Sequence, residues 1–392
     1  MKKIKNVVFL DFFSVGNFHE IISSCMAEIF LRGFNSVTIK GSYSFCETLS
    51  SNVQYCTDNP KNRFNYHTLR VFEGQTPLGA LIRMFCGLFI VLYEYFKTPK
   101  DSLLYLNYNN FFAFPVLLCF NRFLRKKIVI IQHGELEYPF KKIAFYKPYW
   151  LYGRLNSFSF RYLLNKSNVN LLLLGDSIRE NFIRAYPMVD ESSLIVINHP
   201  YKFTNISYGS IMQKSNSKII VGTIGYLNSG KGLYTYCDLV DYFASDILAD
   251  KIEFRHIGRV EPGFKTENHT NIMWSSSYLP RDIFNSKISE LDYILFLYPK
   301  YSYQFTASGA LLDAISFEKP ILALANSYFQ YVLSTELLAS GLVSSIDDLV
   351  LCLKSIINNK DSINATRLKS EFGQIKDRFS VDSVFKSFMS QL

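Results

Sequence analysis

Short continuous apolar runs alternate with longer stretches of helical period through most of the chain. The runs predict strands at Val7–Asp11, Leu103–Leu106, Ile128–Gln132, Asn170–Leu174 and Leu194–Ile197, then at Lys218–Gly225, Lys251–Ile257, Tyr293–Leu297 and Pro320–Leu324. Runs without polar alternation suit a parallel sheet covered on both faces. The periodic stretches predict helices over about 18–32, 78–97, 176–186, 231–246, 281–290, 307–317 and 346–358. Strand and helix in regular alternation define an α/β chain with doubly wound sheets.

The pattern lapses between Asn198 and Ser217, where Ser, Asn and other polar residues crowd without period. A new strand follows. We therefore expect an N-terminal domain over 1–200, a hinge over 201–217, a second domain over 218–365, and a last helical stretch, 366–392, that crosses back to the first domain. Two Rossmann-like domains would face across a cleft, because such sheets bind ligands at the carboxyl ends of their strands. The N-terminal run Val7–Leu10 stops at Asp11 and reads as a buried first strand, not a targeting signal. The stretch Leu78–Phe96 is nearly long enough to span a bilayer, but Arg83 interrupts it, which favours a core helix.

A chain of 392 residues exceeds what one core fills, in line with two domains. Its 48% hydrophobic and 19% charged content excludes a disordered chain. The cysteines are odd in number and scattered with no C-x-x-C pair, so neither a zinc ribbon nor a disulfide framework is indicated, and a reduced, cytoplasmic setting is expected. The net charge of +9 resides wholly in residues 1–200, which hold 23 Lys and Arg against 14 Asp and Glu, whereas the rest holds 19 of each. Such asymmetry points to different partners for the two halves.

Two loops in the second half carry chemistry. Strand Lys218–Gly225 runs into Gly225-Tyr226-Leu227-Asn228-Ser229-Gly230-Lys231-Gly232 ahead of a helix. A glycine-rich turn there leaves amides for an anion, and Lys231 adds a positive charge. The spacing mimics a P-loop, but Gly232 occupies the position of the hydroxyl that holds Mg²⁺, which disfavours an NTPase; an ordinary strand–turn–helix with a surface Lys is the plain alternative. After Tyr293–Leu297, the stretch Thr306-Ala307-Ser308-Gly309 precedes a helix containing Asp313. Ser308 is a candidate N-cap, and Gly309 opens the first helical amides to a ligand. Asp313, four residues on, would suit ribose hydroxyls; a solvated Asp on a capped helix is the plain alternative.

These loops, with His256-Ile257-Gly258-Arg259-Val260 and the run 290–324, resemble the donor domain of GT-B glycosyltransferases, nearest glycosyltransferase family 4 and its bacterial polysaccharide enzymes. The resemblance implies a GT-B fold and transfer of a sugar, with retention of configuration, from a nucleotide diphosphate sugar, UDP-sugar first. It places Asp313 on the family's second motif Glu, which holds the donor ribose, and Lys231 on the Lys that meets the diphosphate. Ser308 and Gly309 fall on the helix start that also meets phosphate. Phe305 stands at the first motif Glu, and Tyr226 stands where the family has Arg.

In the first half, strand Ile128–Gln132 ends at His133-Gly134-Glu135, and family members carry a His near the donor sugar at such a strand end. His133 and Glu135 are the catalytic candidates, with Glu137 and Asp11 as alternative acids. Gly16 and Asn17, in the loop after the first strand, resemble the family's loop that meets donor phosphate. The donor-binding expectation is thus Gly16, Asn17, Gly225, Lys231, Thr306, Ser308, Gly309 and Asp313. The chain has no D-x-D pair, so neither metal nor cofactor is expected. Residues 138–162 interleave Lys and Arg with aromatic rings and lack any acid, which suits the inner membrane surface and a lipid-linked or oligosaccharide acceptor. No nucleic-acid motif is present. A nucleotide-sugar 2-epimerase on the same fold and a non-catalytic scaffold subunit are the competing functions.

Overall fold

The computed structural model describes residues 4–16, 18–53, 64–74, 76–203, 218–275, 279–333, 341–358 and 365–392. Two compact units emerge. The first comprises Met1–Lys202 with Phe305–Ala307 and Arg378–Leu392, and the second Phe203–Gln304 with Ser308–Asp377. Of the expected hinge, 204–217 lie outside the described residues.

Among the described residues the first unit holds a seven-stranded parallel sheet: β1 (Asn6–Leu10), β2 (Ser36–Gly41), β3 (Phe64–Thr68), β4 (Ser102–Leu106), β5 (Lys127–Ile131), β6 (Val169–Leu173) and β7 (Leu194–Val196). Their order is β3-β2-β1-β4-β5-β6-β7. The winding reverses between β1 and β4, which pair in parallel from Asn6 against Ser102 to Leu10 against Leu106. Every residue of β4 is buried, as its unbroken apolar run requires. The helix Val381–Gln391, capped by Ser380, packs on the helix Glu20–Gly33 through Phe388 against Phe30, ring centroids 5.6 Å apart.

The second unit holds a six-stranded parallel sheet of β8 (Ile219–Ile224), β9 (Ile252–Ile257), β10 (Ile272–Ser275), β11 (Tyr293–Phe296), β12 (Ile321–Leu324) and β13 (Gly341–Val343). The order β10-β9-β8-β11-β12-β13 repeats the winding of the first sheet, reversing between β8 and β11. Leu233, Phe254, Leu295 and Leu353 are fully buried at the centre of one of its core layers.

The nine expected strands all form, with ends shifted by a residue or so. Four strands escaped the sequence pattern: β2, β3, β10 and β13. Three of these are sheet edges, and β2 alternates buried and half-buried positions instead of running continuously apolar. The expected helix 231–246 is broken into a 3₁₀ turn Ser229–Lys231 and helices Leu233–Tyr242 and Ala244–Leu248. Gly232 causes the first break, with φ +82°.

The expected core helix over 78–97 forms as Pro77–Lys97, with Thr76 accepting from the Gly79 amide at 3.1 Å and Pro77 in the first turn. It is not a core helix. Only 39% of its apolar window is buried, because one face packs on the sheet and the other is exposed.

Candidate functional site

Each sheet reverses its winding at a pair of strands, and a crevice opens outside the carboxyl ends of such a pair. Most of the candidate residues gather at these two places, one in each unit.

In the first unit, β1 ends at Asp11, β4 at Asn107 and β5 at Gln132-His133. Asp11 is fully buried. One carboxylate oxygen accepts from the amides of Phe13 (2.9 Å) and Ser14 (2.7 Å), and the other from Asn107 Nδ2 (2.6 Å). Both oxygens therefore shape the loop after β1, and Asp11 is a structural acid. That loop leads to Gly16, at φ +58°, whose amide donates to Ser44 Oγ at 3.0 Å. Asn17 lies outside the described residues.

His133 is buried, and its Nε2–H donates to the Asn107 carbonyl at 3.2 Å. Burial pushes its pKa down to about 3, so the imidazole is neutral near pH 7. Its ring lies 4.0 Å, centroid to centroid, from that of His19, which sequence reasoning missed. His19 holds a left-handed backbone at φ +58° just before the helix Glu20–Gly33, and burial and then the neighbouring His133 lower its pKa well below the usual value. A lone His before a helix carries no local signal; only the fold brings its ring against His133.

Glu135 lies two residues on, in the 3₁₀ turn Gly134–Phe140, and is 1% exposed. Among the described residues neither carboxyl oxygen has a hydrogen-bond partner of good geometry. Burial raises its pKa to about 7, softened by the nearby backbone amides of His133 and Glu135. Glu135 thus has the proton affinity of a general base or acid at neutral pH, whereas His133 is too weak a base for that task. Glu137 is engaged otherwise. Its Oε1 accepts from the Phe305 amide (2.9 Å) and Thr306 Oγ1 (3.2 Å), and the Phe305 ring stacks on Phe140 at 4.5 Å. Thr306, expected to bind donor, is therefore a partner of Glu137 in the first unit.

In the second unit, the turn after β8 is not the open amide nest that its glycines suggested. The amide of Gly225 donates to Ile257 O, that of Leu227 to Arg259 O, that of Ser229 to the Glu261 carboxylate and that of Lys231 to Asn228 O. What the turn presents is Lys231. Its ammonium sits 5.5 Å from the ring centroid of Tyr298 and 5.8 Å from that of Tyr303. Burial opposes its charge, but the two tyrosine hydroxyls outweigh burial and hold the lysine protonated. Tyr298 and Tyr303 come from the segment after β11, and neither has a sequence signal; the sheet order brings that segment beside the turn after β8.

From the same side, Ser308 caps the helix Gly309–Ser316, its Oγ accepting from the Leu311 amide at 3.4 Å. A side chain at Gly309 would meet nothing within 4 Å, so open space lies over the first helical turn, whose leading amides have no partner within the helix. Asp313 is buried one turn on, and its Oδ1 is bonded by Arg281 Nη2 from the helix Arg281–Ser289. Asp313, the expected ribose-binding acid, is here half of an ion pair. Tyr226, at the family's Arg position, lies under the guanidinium of Arg259, 5.8 Å from its ring centroid. Among the described residues no group of His, Cys, Asp and Glu is placed to hold a metal ion.

No protein-family model and no curated protein matches the chain. Solved structures do. Anabaena Alr3699/HepE in complex with UDP-glucose is 14% identical at a TM-score of 0.65, covering 98% of each chain. A glycosyltransferase from Rickettsia africae ESF-5 is 9% identical at 0.63, covering 100% of this chain and 98% of its own. The N-terminal domain of Candida albicans trehalose-6-phosphate phosphatase is 8% identical at 0.60, covering 100% and 96%. Likeness at this identity establishes the fold, two parallel-sheet α/β domains of GT-B type; chemistry has to be argued from the site.

Proposed function

We propose that the chain is a glycosyltransferase, moving a sugar from a nucleotide diphosphate donor, UDP-sugar first, to a hydroxyl of a lipid-linked or oligosaccharide acceptor. The observation that carries the reading is the Lys231 ammonium, held charged by Tyr298 and Tyr303 at the reversal point of the second sheet. In the same fold, Anabaena HepE binds UDP and UDP-glucose.

Cleaving the bond from sugar C1 to the diphosphate leaves an electron pair on the phosphate oxygen. Lys231 and the amides opening the helix Gly309–Ser316 neutralise that charge, an effect strongest where water is excluded. Arg259 over Tyr226 supplies a second cation from the end of β9, in place of the arginine missing at 226. The acceptor oxygen bonds to C1 as its proton passes to a base, and within the first unit Glu135 is the residue whose raised pKa matches that task. In the same unit neutral His133 is suited to a hydrogen bond with a sugar hydroxyl. The resemblance to family 4 implies retention of configuration, which requires the acceptor to attack C1 on the face that the diphosphate leaves.

Titration calorimetry with UDP tests the donor site. Lys231→Gln should weaken UDP binding about 10- to 100-fold, the loss of one charge-assisted contact set, with unchanged thermal unfolding. Equal binding by the variant, or no nucleotide binding by the folded wild type, overturns the reading. UDP-sugar binding with release of a 2-epimer favours the epimerase. Binding with neither product favours the scaffold subunit, the reading that Phe305 at the first motif position supports.

A further inference from the structure

The helix Pro77–Lys97 turns Met84, Val91 and Tyr95 into the first unit, and buried Arg83 on the same side donates to the carbonyls of Phe72 (2.9 Å) and Gly74 (2.7 Å). Its opposite face exposes Leu78, Leu81, Phe85, Phe89, Tyr93 and Phe96. Their three- and four-residue spacing makes one stripe along the helix. The adjacent helix Ala113–Leu124 widens it with exposed Phe120 and Phe123, and Phe96 and Phe120 meet at 5.3 Å. An exposed stripe of this extent marks an interaction surface.

Charge identifies the occupant. Lys97, Lys100, Arg122 and Arg125 are exposed at one end of the stripe with the exposed Asp101 beside them, and the exposed Glu73 lies near its other end. The one acid within the two helices, Glu94, is buried and paired with Lys40 at 2.7 Å. Lys97 lies over the Tyr93 ring (5.3 Å) and Arg122 over the Phe123 ring (6.0 Å), so these cations rim the apolar face. A two-fold contact centred on this end would bring like cations together with only Asp101 beside them to pair. Insertion across a bilayer would strip the packed face from its sheet and expose Arg83 to lipid.

We propose that this face seats on an anionic lipid bilayer, with the helix Pro77–Lys97 lying in the membrane plane, its rings among the acyl chains and its cations at the headgroups. The helix Pro148–Tyr162 of the basic aromatic segment packs on the buried side of Ala113–Leu124 through Phe160 and Phe114 at 5.7 Å. The inference is independent of the transferase reading.

The full chain is sedimented with vesicles of phosphatidylcholine alone and of phosphatidylcholine and phosphatidylglycerol in equal amounts. Binding should require the anionic lipid and weaken with salt. Arg122→Ala with Arg125→Ala should weaken it about 30-fold, from about 1 kcal/mol per cation, and Phe85→Ser with Phe89→Ser should abolish it. The exposed Leu248→Ser should bind as wild type, and all variants should melt as wild type. The exposed thiols of Cys86 and Cys119 give a second readout: anionic vesicles should shield both, but not Cys352, from an impermeant maleimide. Wild-type binding by the Phe85/Phe89 variant, thiols left open on bound protein, or no binding to anionic vesicles each overturns the proposal. So does a dimer that Phe85→Ser dissociates.

Discussion

Glu135→Gln separates a functional carboxylate from a structural one, because the two make opposite predictions for stability. The carboxyl is 1% exposed with no good hydrogen-bond partner among the described residues, and its pKa is raised from 4.5 to about 7. Between those values the folded state keeps a proton that the unfolded chain has lost, so stability falls as pH rises through this window. A shift of that size, at 1.36 kcal/mol per pKa unit, costs the folded state about 3 kcal/mol at pH 8, about 1 at pH 5 and almost nothing at pH 4. The amide cannot ionise, so the variant escapes the penalty. Urea unfolding at pH 8 and pH 5 should therefore show a stability gain for Glu135→Gln that is larger by about 2 kcal/mol at the higher pH. His133 and His19, held neutral by burial, lower stability below about pH 6.5, but they do so in both proteins and cancel in the difference. Sugar transfer should vanish while UDP affinity is kept. Stability curves that run parallel across pH would refute the argument, as they would mean that Glu135 folds as an ordinary, satisfied carboxylate.

Asp11→Ala should act oppositely. It strands the buried amide of Ser14, the half-buried amide of Phe13 and one bond of Asn107, so denaturant unfolding should show a loss of about 3 kcal/mol. Two glycines of the second unit should also part company. Gly232→Ala places a Cβ 2.2 Å from Leu297 O at φ +82°, and should lower stability by well over the about 1–2 kcal/mol of a left-handed residue. Gly309→Ala meets open space and should unfold as wild type or slightly later, yet weaken UDP binding by narrowing access to the helix amides.

Local chemistry by itself determined much of this protein. Unbroken apolar runs specify strands buried on both faces, and all nine such runs became strands. Ser308 before Gly309, and a lysine after a glycine turn, are caps and charges written within a few residues, and they formed where expected. Edge strands β3, β10 and β13 were invisible because an edge is half-solvated and needs no continuous apolar run. The exposed stripe of Pro77–Lys97 was equally hidden: periodicity marks apolar positions but cannot tell whether a sheet or solvent lies over each. Only the tertiary structure decided which groups meet. Sheet order, not sequence distance, brings Tyr298 and Tyr303 to Lys231, His19 to His133, and Arg281 to Asp313. Tertiary burial likewise parted two residues that the sequence offered as equals, leaving His133 a weak base and Glu135 one matched to neutral pH, because desolvation disfavours the charged form of each.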